Sequence, residues 1–136
     1  YGPRMKPSDG RVISNFIYQA LNNKPLTING NGNQTRSFCY VEDLIEGMIK
    51  LMNSDITTPV NIGNPNQIKI IELAKIIRQK INPKLEFKFN PMPQDDPFQR
   101  QPNIQKAKEK LGWFPEMSFE QGLEKTIDWF VDLINK

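Results

Sequence analysis

Apolar residues recur every three or four positions in five parts of the chain, and this spacing predicts five amphipathic helices. The predicted helices cover about residues 12–21, 41–53, 70–81, 104–111 and 119–134. Asp9 or Ser8 is expected to cap the first helix, and Ser118 and Gln121 form a capping-box pair at the start of the last. Large apolar side chains on these helices, including Trp113 beside the fourth, are interpreted as core residues.

Shorter apolar runs between the helices predict four strands, because they end at turn-forming residues or alternate with polar positions. These strands cover Leu26–Ile28, Arg36–Tyr40, Thr57–Ile62 and Leu85–Phe89. Prolines crowd the segment from Asn90 to Pro102, which predicts an extended loop. The pattern therefore predicts one mixed α/β domain over residues 1–136, without the regular βαβ alternation of a doubly wound sheet.

Composition and charge narrow the classes of partner. Of the 136 residues, 38% are hydrophobic and 24% are charged, which is typical of a folded globular domain. The net charge of +3 suits an anionic ligand, but the lysines are scattered, so no nucleic-acid partner is predicted. No apolar run approaches the roughly 18 residues that cross a membrane, so no membrane association is predicted either.

Cysteine and histidine usage limits the chemistry. Cys39 is the only cysteine, so no internal disulfide forms, and a reducing compartment, the cytoplasm, is predicted. The chain has no histidine, which excludes Ser-His-Asp and Cys-His catalysis within it and argues against a zinc site.

The stretch from Leu26 to Asp43 reads L-T-I-N-G-N-G-N-Q-T-R-S-F-C-Y-V-E-D and supports two interpretations. In the first, the Asn-Gly steps only make turns in a β-hairpin. In the second, Arg36 at the end of the glycine loop binds an anion, because a guanidinium pairs two anionic oxygens at once. Arg4, Arg11 and Arg100 also lie in or next to predicted loops and could take part.

Several catalytic and cofactor motifs are missing from the sequence. Gly30 and Gly32 have the first spacing of a dinucleotide motif, but the third glycine is absent and a strand follows. None of the tyrosines is followed by lysine four positions later, so the chain has no Tyr-x-x-x-Lys pair. The neighbouring acids Asp95 and Asp96 are interpreted as a solvated turn.

The chain opens on Tyr1-Gly2-Pro3, which reads as the middle of a loop and predicts a piece of a longer protein.

Separated segments of the chain resemble one family in unbroken order. These segments are Y-G-P-R-M, D-G-R-V-I-S-N-F-I, P-L-T-I-N-G-N-G-N-Q-T-R-S-F-C-Y-V-E-D-L, P-V-N-I-G-N-P and D-D-P-F-Q-R-Q-P-N-I-Q-K-A-K-E-K-L-G-W-F-P. They are similar to the carboxy-terminal part of extended short-chain dehydrogenase/reductases (NAD-dependent epimerases and dehydratases) that act on nucleotide sugars. D-G-R-V-I-S-N-F and D-D-P-x-x-R-x-P resemble the UDP-glucuronate decarboxylases more than the dTDP-glucose 4,6-dehydratases.

The resemblance implies a division of labour within a longer enzyme. An amino-terminal Rossmann domain would carry NAD and the Tyr/Lys pair, and this chain would be the small mixed lobe that holds the UDP sugar. The reaction implied is conversion of UDP-glucuronate to UDP-xylose and CO2 by a homodimer, with the isolated chain inactive. The alternatives are a dTDP-glucose 4,6-dehydratase or UDP-sugar 4-epimerase fragment, or a non-catalytic nucleotide-binding or interaction module.

Individual site residues follow from the resemblance alone. Arg36 would contact the diphosphate or the sugar carboxylate and assist protonation after decarboxylation. Arg100 would reach the ribose or the diphosphate, Asn15 a phosphate or ribose oxygen, and Arg4 the sugar. The segment Leu26, Thr27 and Ile28 would hold the uracil, partly through backbone groups.

The sequence departs from the family pattern at the tip of the glycine loop. Asn29 stands where the family usually has an aromatic residue, and Asn31 where it often has aspartate. These departures weaken the functional assignment of the loop-tip residues by resemblance but do not affect that of Arg36.

Overall fold

The computed structural model describes residues 1–7 and 9–135 and contains helices interleaved with short strands. In chain order the elements are α1 (Val12–Leu21), β1 (Leu26–Asn29), β2 (Thr35–Ser37), α2 (Val41–Met52), β3 (Gln67–Lys69), α3 (Ile70–Ile81), β4 (Phe87–Asn90), α4 (Gln105–Leu111) and α5 (Phe119–Ile134). All five predicted helices are present with nearly the predicted bounds, and the mixed α/β class is confirmed.

The helix starts follow the expected capping only in part. Ser118 accepts a hydrogen bond from the Gln121 amide at 3.3 Å, which confirms the capping pair at α5. Arg11, not Asp9, is the residue that precedes α1 directly. The Asp9 carboxylate instead accepts from the Arg11 amide at 3.0 Å, and Ser8 lies outside the described residues.

The strands form two separate pairs. β1 pairs in parallel with β4, and β2 pairs antiparallel with β3. The hairpin interpretation of the Asn-Gly loop is therefore wrong, because β1 and β2 have different partners. Gly30 and Gly32 both have positive φ, at 62° and 77°, and lead the chain from the first strand pair to the second.

The predicted strand from Thr57 to Ile62 is absent, and β3 was missed. A strand needs a neighbour for its backbone ladder, and no described strand pairs with this segment. It is instead tied to α4, where the Lys106 ammonium donates to the Pro59 carbonyl at 2.9 Å. The Asn61 side chain donates to the Asn103 carbonyl at 3.1 Å, so side chains replace ladder bonds here.

The main core lies where α1, α3 and α5 pack around β1. Leu26 and Ile28 of β1 are fully buried there, between residues such as Phe16 of α1 and Leu73 of α3. Trp113 is the centre of a smaller cluster with Ile104 and Ala107, and Trp129 is half-buried against the main core. Trp113 is thus a core residue and Trp129 a packing residue, which confirms the prediction that both tryptophans serve packing.

Helix α2 is an exception to the buried-face pattern. Its apolar side chains Ile45, Met48, Ile49 and Met52 are exposed. The residues it buries are Asp43 and Gly47, which lie against the Trp113 cluster. Among the helices of the described ranges, none combines the length and apolar character needed to cross a membrane.

Candidate functional site

A cleft of about 400 Å³ opens where the start of α1, strands β1 and β2 and the loop after β4 meet. Polar side chains dominate its lining. They are Arg11, Asn15, Thr27, Asn29, Gln34, Arg36, Asp96 and Arg100. These residues come from distant parts of the sequence, so the cleft exists only in the folded chain.

Strand β2 and the loop after β4 supply one group of charged residues. The Arg36 guanidinium pairs with the Asp96 carboxylate at 2.5 Å and donates to the Thr35 carbonyl at 2.8 Å. The Arg36 and Asp96 side chains are only 15% and 28% exposed, so water screens this pair less than a surface pair. Arg100 is held close by, because its backbone carbonyl accepts from the Ser37 hydroxyl at 3.1 Å.

The charge of the cleft lining is positive. Three arginines, Arg11, Arg36 and Arg100, and a single carboxylate, Asp96, line the cleft. Arg36 pairs with Asp96, and the exposed Arg11 side chain lies 3.7 Å from the Asp9 carboxylate, so the salt bridges of the described residues leave Arg100 without a carboxylate partner. Guanidinium groups match the geometry of phosphate and carboxylate oxygens. The cleft lining therefore has a net positive charge and is suited to an anionic ligand.

Helix α1 and strand β1 supply a second, uncharged group. The Thr27 amide donates to the Gln19 side-chain carbonyl at 3.0 Å, and the Gln19 side-chain amide donates to the Thr27 hydroxyl at 2.8 Å. The Asn15 side-chain amide also points to that hydroxyl, at 3.4 Å. This group offers hydrogen bonds rather than charge.

The open edge of β1 faces the cleft. The backbone amides of Leu26 and Gly30 donate to carbonyls beside or within β4. The backbone N–H and C=O groups of the alternate residues, Thr27 and Asn29, therefore point to the other edge of the strand. The Gln34 side chain donates to the Asn29 carbonyl at 2.8 Å. Within residues 1–7 and 9–135, the hydrogen bonds leave the Thr27 carbonyl and the Asn29 amide available to a ligand.

The structure brings four of the predicted site residues together: Asn15, Thr27, Arg36 and Arg100 all line the cleft. Leu26 and Ile28 do not line it, since their side chains are in the core. Arg4 lies in a different depression of about 460 Å³, which shares Arg11 with the cleft. Arg4 also has a positive φ of 70°, an unusual backbone conformation for arginine.

Three polar residues of the cleft, Asn29, Gln34 and Asp96, were not among the predicted site residues. Asn29 was noted only as a departure from the family pattern. Asp96 was interpreted as part of a solvated turn, but its carboxylate is the partner of Arg36. Gln34 is 3% exposed and was not singled out. The D-D-P segment was a usable signal for a carboxylate near the site, whereas nothing local in the sequence marks Gln34.

The described residues provide a binding surface without a reactive nucleophile in the cleft. Cys39 is half-buried outside it, and burial, aided by the negative charge of Asp43, raises the pKa of its thiol to about 11. Residues 1–7 and 9–135 contain no group of three or more cysteine, aspartate or glutamate side chains placed to hold a metal ion.

The Gly30–Gly32 loop does not have the arrangement of a dinucleotide-binding loop. The Gly30–Gly32 loop leads into strand β2 rather than into a helix. The amides of Ile70 and Ile71 at the start of α3 already donate to the carbonyls of Gln34 and Gly32. The first two amides of that helix are therefore already paired and are not available to a pyrophosphate.

Solved structures share this fold. The UDP-glucuronic acid 4-epimerase of Bacillus cereus, in complex with UDP-glucuronic acid and NAD, matches with a TM-score of 0.90 at 32% identity, over 98% of this chain and 43% of that one. The UDP-glucose 4-epimerase of Thermotoga maritima, with UDP-glucose, matches with a TM-score of 0.94 at 29% identity, over 98% and 44%. The fold is thus that of part of an extended short-chain dehydrogenase/reductase.

The family itself follows from the sequence. The family model described as GDP-mannose 4,6 dehydratase matches residues 1–126, and the chain belongs to this family. The resemblance inferred from the sequence segments is therefore confirmed.

Curated relatives are more similar still. UDP-glucuronic acid decarboxylase 3 of Arabidopsis thaliana is 52% identical over 123 residues, which is 90% of this chain and 36% of that protein. UDP-glucuronic acid decarboxylase 1 of Xenopus tropicalis is 50% identical over 130 residues, or 96% of this chain and 31% of that protein. The chain thus spans about a third of the length of these relatives.

Proposed function

We propose that this chain is the carboxy-terminal, nucleotide-sugar-binding lobe of an NAD-dependent UDP-glucuronate decarboxylase, which converts UDP-glucuronate to UDP-xylose and CO2. The observation that carries the proposal is the cleft, where a lining rich in arginine adjoins an open strand edge. A nucleoside diphosphate has the complementary chemistry. The decarboxylases at 50% to 52% identity are more similar in sequence than the epimerases at 29% to 32%, which favours decarboxylation.

In this proposal the diphosphate binds to the arginines of β2 and the following loop. Arg36 and Arg100 supply the guanidinium forks, and Arg11 adds positive charge from the start of α1. The diphosphate competes with Asp96 for the Arg36 guanidinium, because both ligands are anionic. The affinity for the diphosphate therefore depends on the free energy needed to break the ion pair between Asp96 and Arg36.

The uracil binds along the open edge of β1. The Thr27 carbonyl accepts from the base, and the Asn29 amide donates to it. Leu26 and Ile28 support this edge from the core, where their side chains are fully buried. Asn15 of α1, which lines the same cleft as Arg36, binds a phosphate or ribose oxygen.

The sugar end of the site rests on the family resemblance alone. Arg4 is proposed to lie near the sugar, in the depression that shares Arg11 with the cleft. Arg36 is proposed as an auxiliary catalytic group, beside the sugar carboxylate or the diphosphate. In this proposal the remaining catalytic groups at the sugar come from the amino-terminal domain of the longer enzyme.

NAD is proposed to bind to an amino-terminal Rossmann domain of the full-length protein, as the family resemblance implies. The Gly30–Gly32 loop supports this division, because it leads into strand β2 rather than into a helix. That domain would supply the redox chemistry and the Tyr/Lys pair. The full-length enzyme is proposed to be a homodimer. A cytoplasmic location is part of the same proposal, supported by the single, unpaired cysteine.

The reaction is tested on the full-length enzyme with UDP-glucuronate and NAD. Formation of UDP-xylose with an equal amount of CO2 is the expected result. A UDP-sugar product that keeps all its carbon atoms would rule out the decarboxylase and support a dehydratase or an epimerase. Absence of any turnover, with nucleotide still bound, would support a non-catalytic binding module.

Nucleotide binding is tested on the 136-residue chain by titration calorimetry with UDP. Loss of a charge-assisted contact costs roughly 1.5–3 kcal/mol, so we expect Arg36→Ala to weaken UDP binding by about tenfold or more. The matched control is Lys75→Ala, which removes an exposed positive charge on α3. Equal affinities of the wild-type and Arg36→Ala chains would remove Arg36 from the site.

A UDP-sugar 4-epimerase is the second candidate. The observation in its favour is the close structural match to the Bacillus cereus UDP-glucuronic acid 4-epimerase. Both enzymes would bind UDP-glucuronate in this cleft, so binding alone does not separate them. Release of CO2 does, because epimerisation at C4 leaves the carboxylate in place.

A further inference from the structure

Gln19 of α1 uses both ends of its side-chain amide on the same residue of β1. Its carbonyl oxygen accepts from the Thr27 backbone amide at 3.0 Å, and its amide nitrogen donates to the Thr27 hydroxyl at 2.8 Å. Gln19 lies one helical turn after Asn15, whose amide reaches the same hydroxyl at 3.4 Å. Two side chains of α1 therefore converge on Thr27.

This arrangement fixes the direction of each hydrogen bond. A backbone amide only donates, so the Gln19 carbonyl oxygen must face the Thr27 N–H. The Gln19 amide nitrogen then faces the Thr27 hydroxyl, and the hydroxyl oxygen must accept. No alternative flip of the Gln19 side chain satisfies both contacts.

An accepting hydroxyl keeps its own proton for another partner. A threonine hydroxyl has one donor and two acceptor positions, and here Gln19 donates to the oxygen at 2.8 Å. The Asn15 amide is 3.4 Å away, beyond the usual hydrogen-bond distance, so it does not hold the hydroxyl proton. Within the described part of the chain, no hydrogen bond gives that proton an acceptor. Because Thr27 lines the cleft, an oxygen of a bound ligand can accept this proton.

We propose that Gln19 is a positioning residue that makes the Thr27 hydroxyl a hydrogen-bond donor to the nucleoside part of the ligand. The acceptor is a carbonyl oxygen of the base or an oxygen of the ribose. Gln19 also accepts the hydrogen bond of the Thr27 backbone amide. The open edge of β1 therefore presents one acceptor, the Thr27 carbonyl, and one donor, the Asn29 amide, to the base. This inference rests on the proposed nucleotide-binding function of the cleft.

The test separates nucleoside contacts from phosphate contacts. The 136-residue chain is titrated with UDP, ribose 5-diphosphate and inorganic pyrophosphate. Thr27→Val removes the hydroxyl, whereas Thr27→Ser keeps it and is the matched control. Gln19→Met removes both amide contacts, and Gln79→Met, at an exposed position on α3, is its control.

We expect Thr27→Val and Gln19→Met each to weaken UDP binding about tenfold, the usual effect of one lost hydrogen bond, while pyrophosphate affinity stays unchanged. The double variant should be no weaker than Thr27→Val, because both changes act through one hydroxyl. A weaker affinity of Thr27→Val for ribose 5-diphosphate would assign the acceptor to the ribose, and an unchanged one to the base. Either result supports the inference.

Other outcomes overturn it. UDP binding that Gln19→Met leaves unchanged would remove Gln19 from this role while leaving the proposed function intact. Additive effects in the double variant, or a parallel loss of pyrophosphate and UDP binding, would show that Gln19 acts only through the fold. A wild-type chain that binds neither UDP nor pyrophosphate would overturn the proposed function and this inference together.

Discussion

The Arg36 guanidinium and the Asp96 carboxylate form an ion pair within the cleft, although the two residues are 60 positions apart in the chain. The pair is partly buried and joins β2 to the proline-rich loop after β4. Arg36 is thus already paired with an anion of the protein before any ligand binds. An incoming phosphate must therefore displace the Asp96 carboxylate from Arg36, the most buried arginine of the cleft.

Replacement of Asp96 by asparagine should tighten anion binding. Asp96→Asn removes the carboxylate that competes for Arg36, and it raises the net charge of the cleft lining. A partly buried ion pair is worth about 1 kcal/mol, so we expect pyrophosphate affinity to rise about three- to tenfold in calorimetry. Asp95→Asn, at the exposed neighbouring position, is the control and should change little. An unchanged or weaker affinity in Asp96→Asn would contradict this competition.

Gly32 should be intolerant of any side chain. It has a φ of +77°, and an added Cβ would lie 2.8 Å from the Ile71 Cβ. Gly32→Ala therefore combines backbone strain with a clash at the start of α3, and we expect a loss of about 2–4 kcal/mol in the free energy of unfolding. Gly10→Ala separates the two effects.

Gly10 shares the φ of +77° but has no atom within 4 Å of the added Cβ. Its alanine variant should lose only about 1 kcal/mol, measured by urea denaturation beside Gly32→Ala. Equal losses at the two positions would mean that close packing at Gly32 contributes nothing.

Asp43 should stabilise the smaller cluster through two kinds of hydrogen bond. Its carboxylate accepts from the Met117 amide at 3.0 Å, and its backbone carbonyl accepts from the Trp113 indole at 3.0 Å. Asp43→Ala removes only the first bond and leaves a partly buried amide unpaired. The expected loss is about 1–3 kcal/mol in urea denaturation followed by tryptophan fluorescence. Asp55→Ala, at an exposed position, should be neutral.

Cys39 should react slowly with alkylating reagents in the folded chain. Burial raises the pKa of its thiol to about 11, and the thiolate is the reactive form. Because the pKa is raised, the thiolate is scarce at pH 8 and accumulates only as the pH approaches 11. An unfolded thiol with a pKa near 8.5 should react about a hundredfold faster at pH 8. Equal iodoacetamide rates in native buffer and in urea would contradict the raised pKa.

Local sequence patterns predicted the helices well but not the strand pairing. The bounds of α3, Ile70 to Ile81, were predicted correctly because its apolar residues keep a regular helical spacing. The segment from Thr57 to Ile62 has strand composition yet forms no strand, since strands depend on a neighbour that local sequence does not specify. The same reason explains the wrong hairpin interpretation, because the partner of β1 is β4.

Residue type alone pointed to Arg36, whereas Asn15 and Thr27 were predicted only through the family resemblance. Arg36 stood out because a cation at the end of a glycine loop favours anion binding, and it does line the cleft. Asp96, Gln19 and Gln34 were missed because their roles depend on partners in other elements. Asp96 is a solvated acid by local pattern and becomes a partly buried partner of Arg36 only when its loop reaches β2.

The parallel pairing of β1 with β4 also sets the order in which the chain can assemble during synthesis. Arg36 leaves the ribosome 60 residues ahead of Asp96, and β1 likewise precedes its partner β4. At translation rates of about 5–20 residues per second, the emerging chain carries Arg36 without its carboxylate for several seconds. Closing a loop of this length costs about 4 kcal/mol of chain entropy, so the cleft is expected to form late in folding. During this interval a nascent chain would present an open arginine and an unpaired strand edge to whatever polyanions and chaperones surround the ribosome.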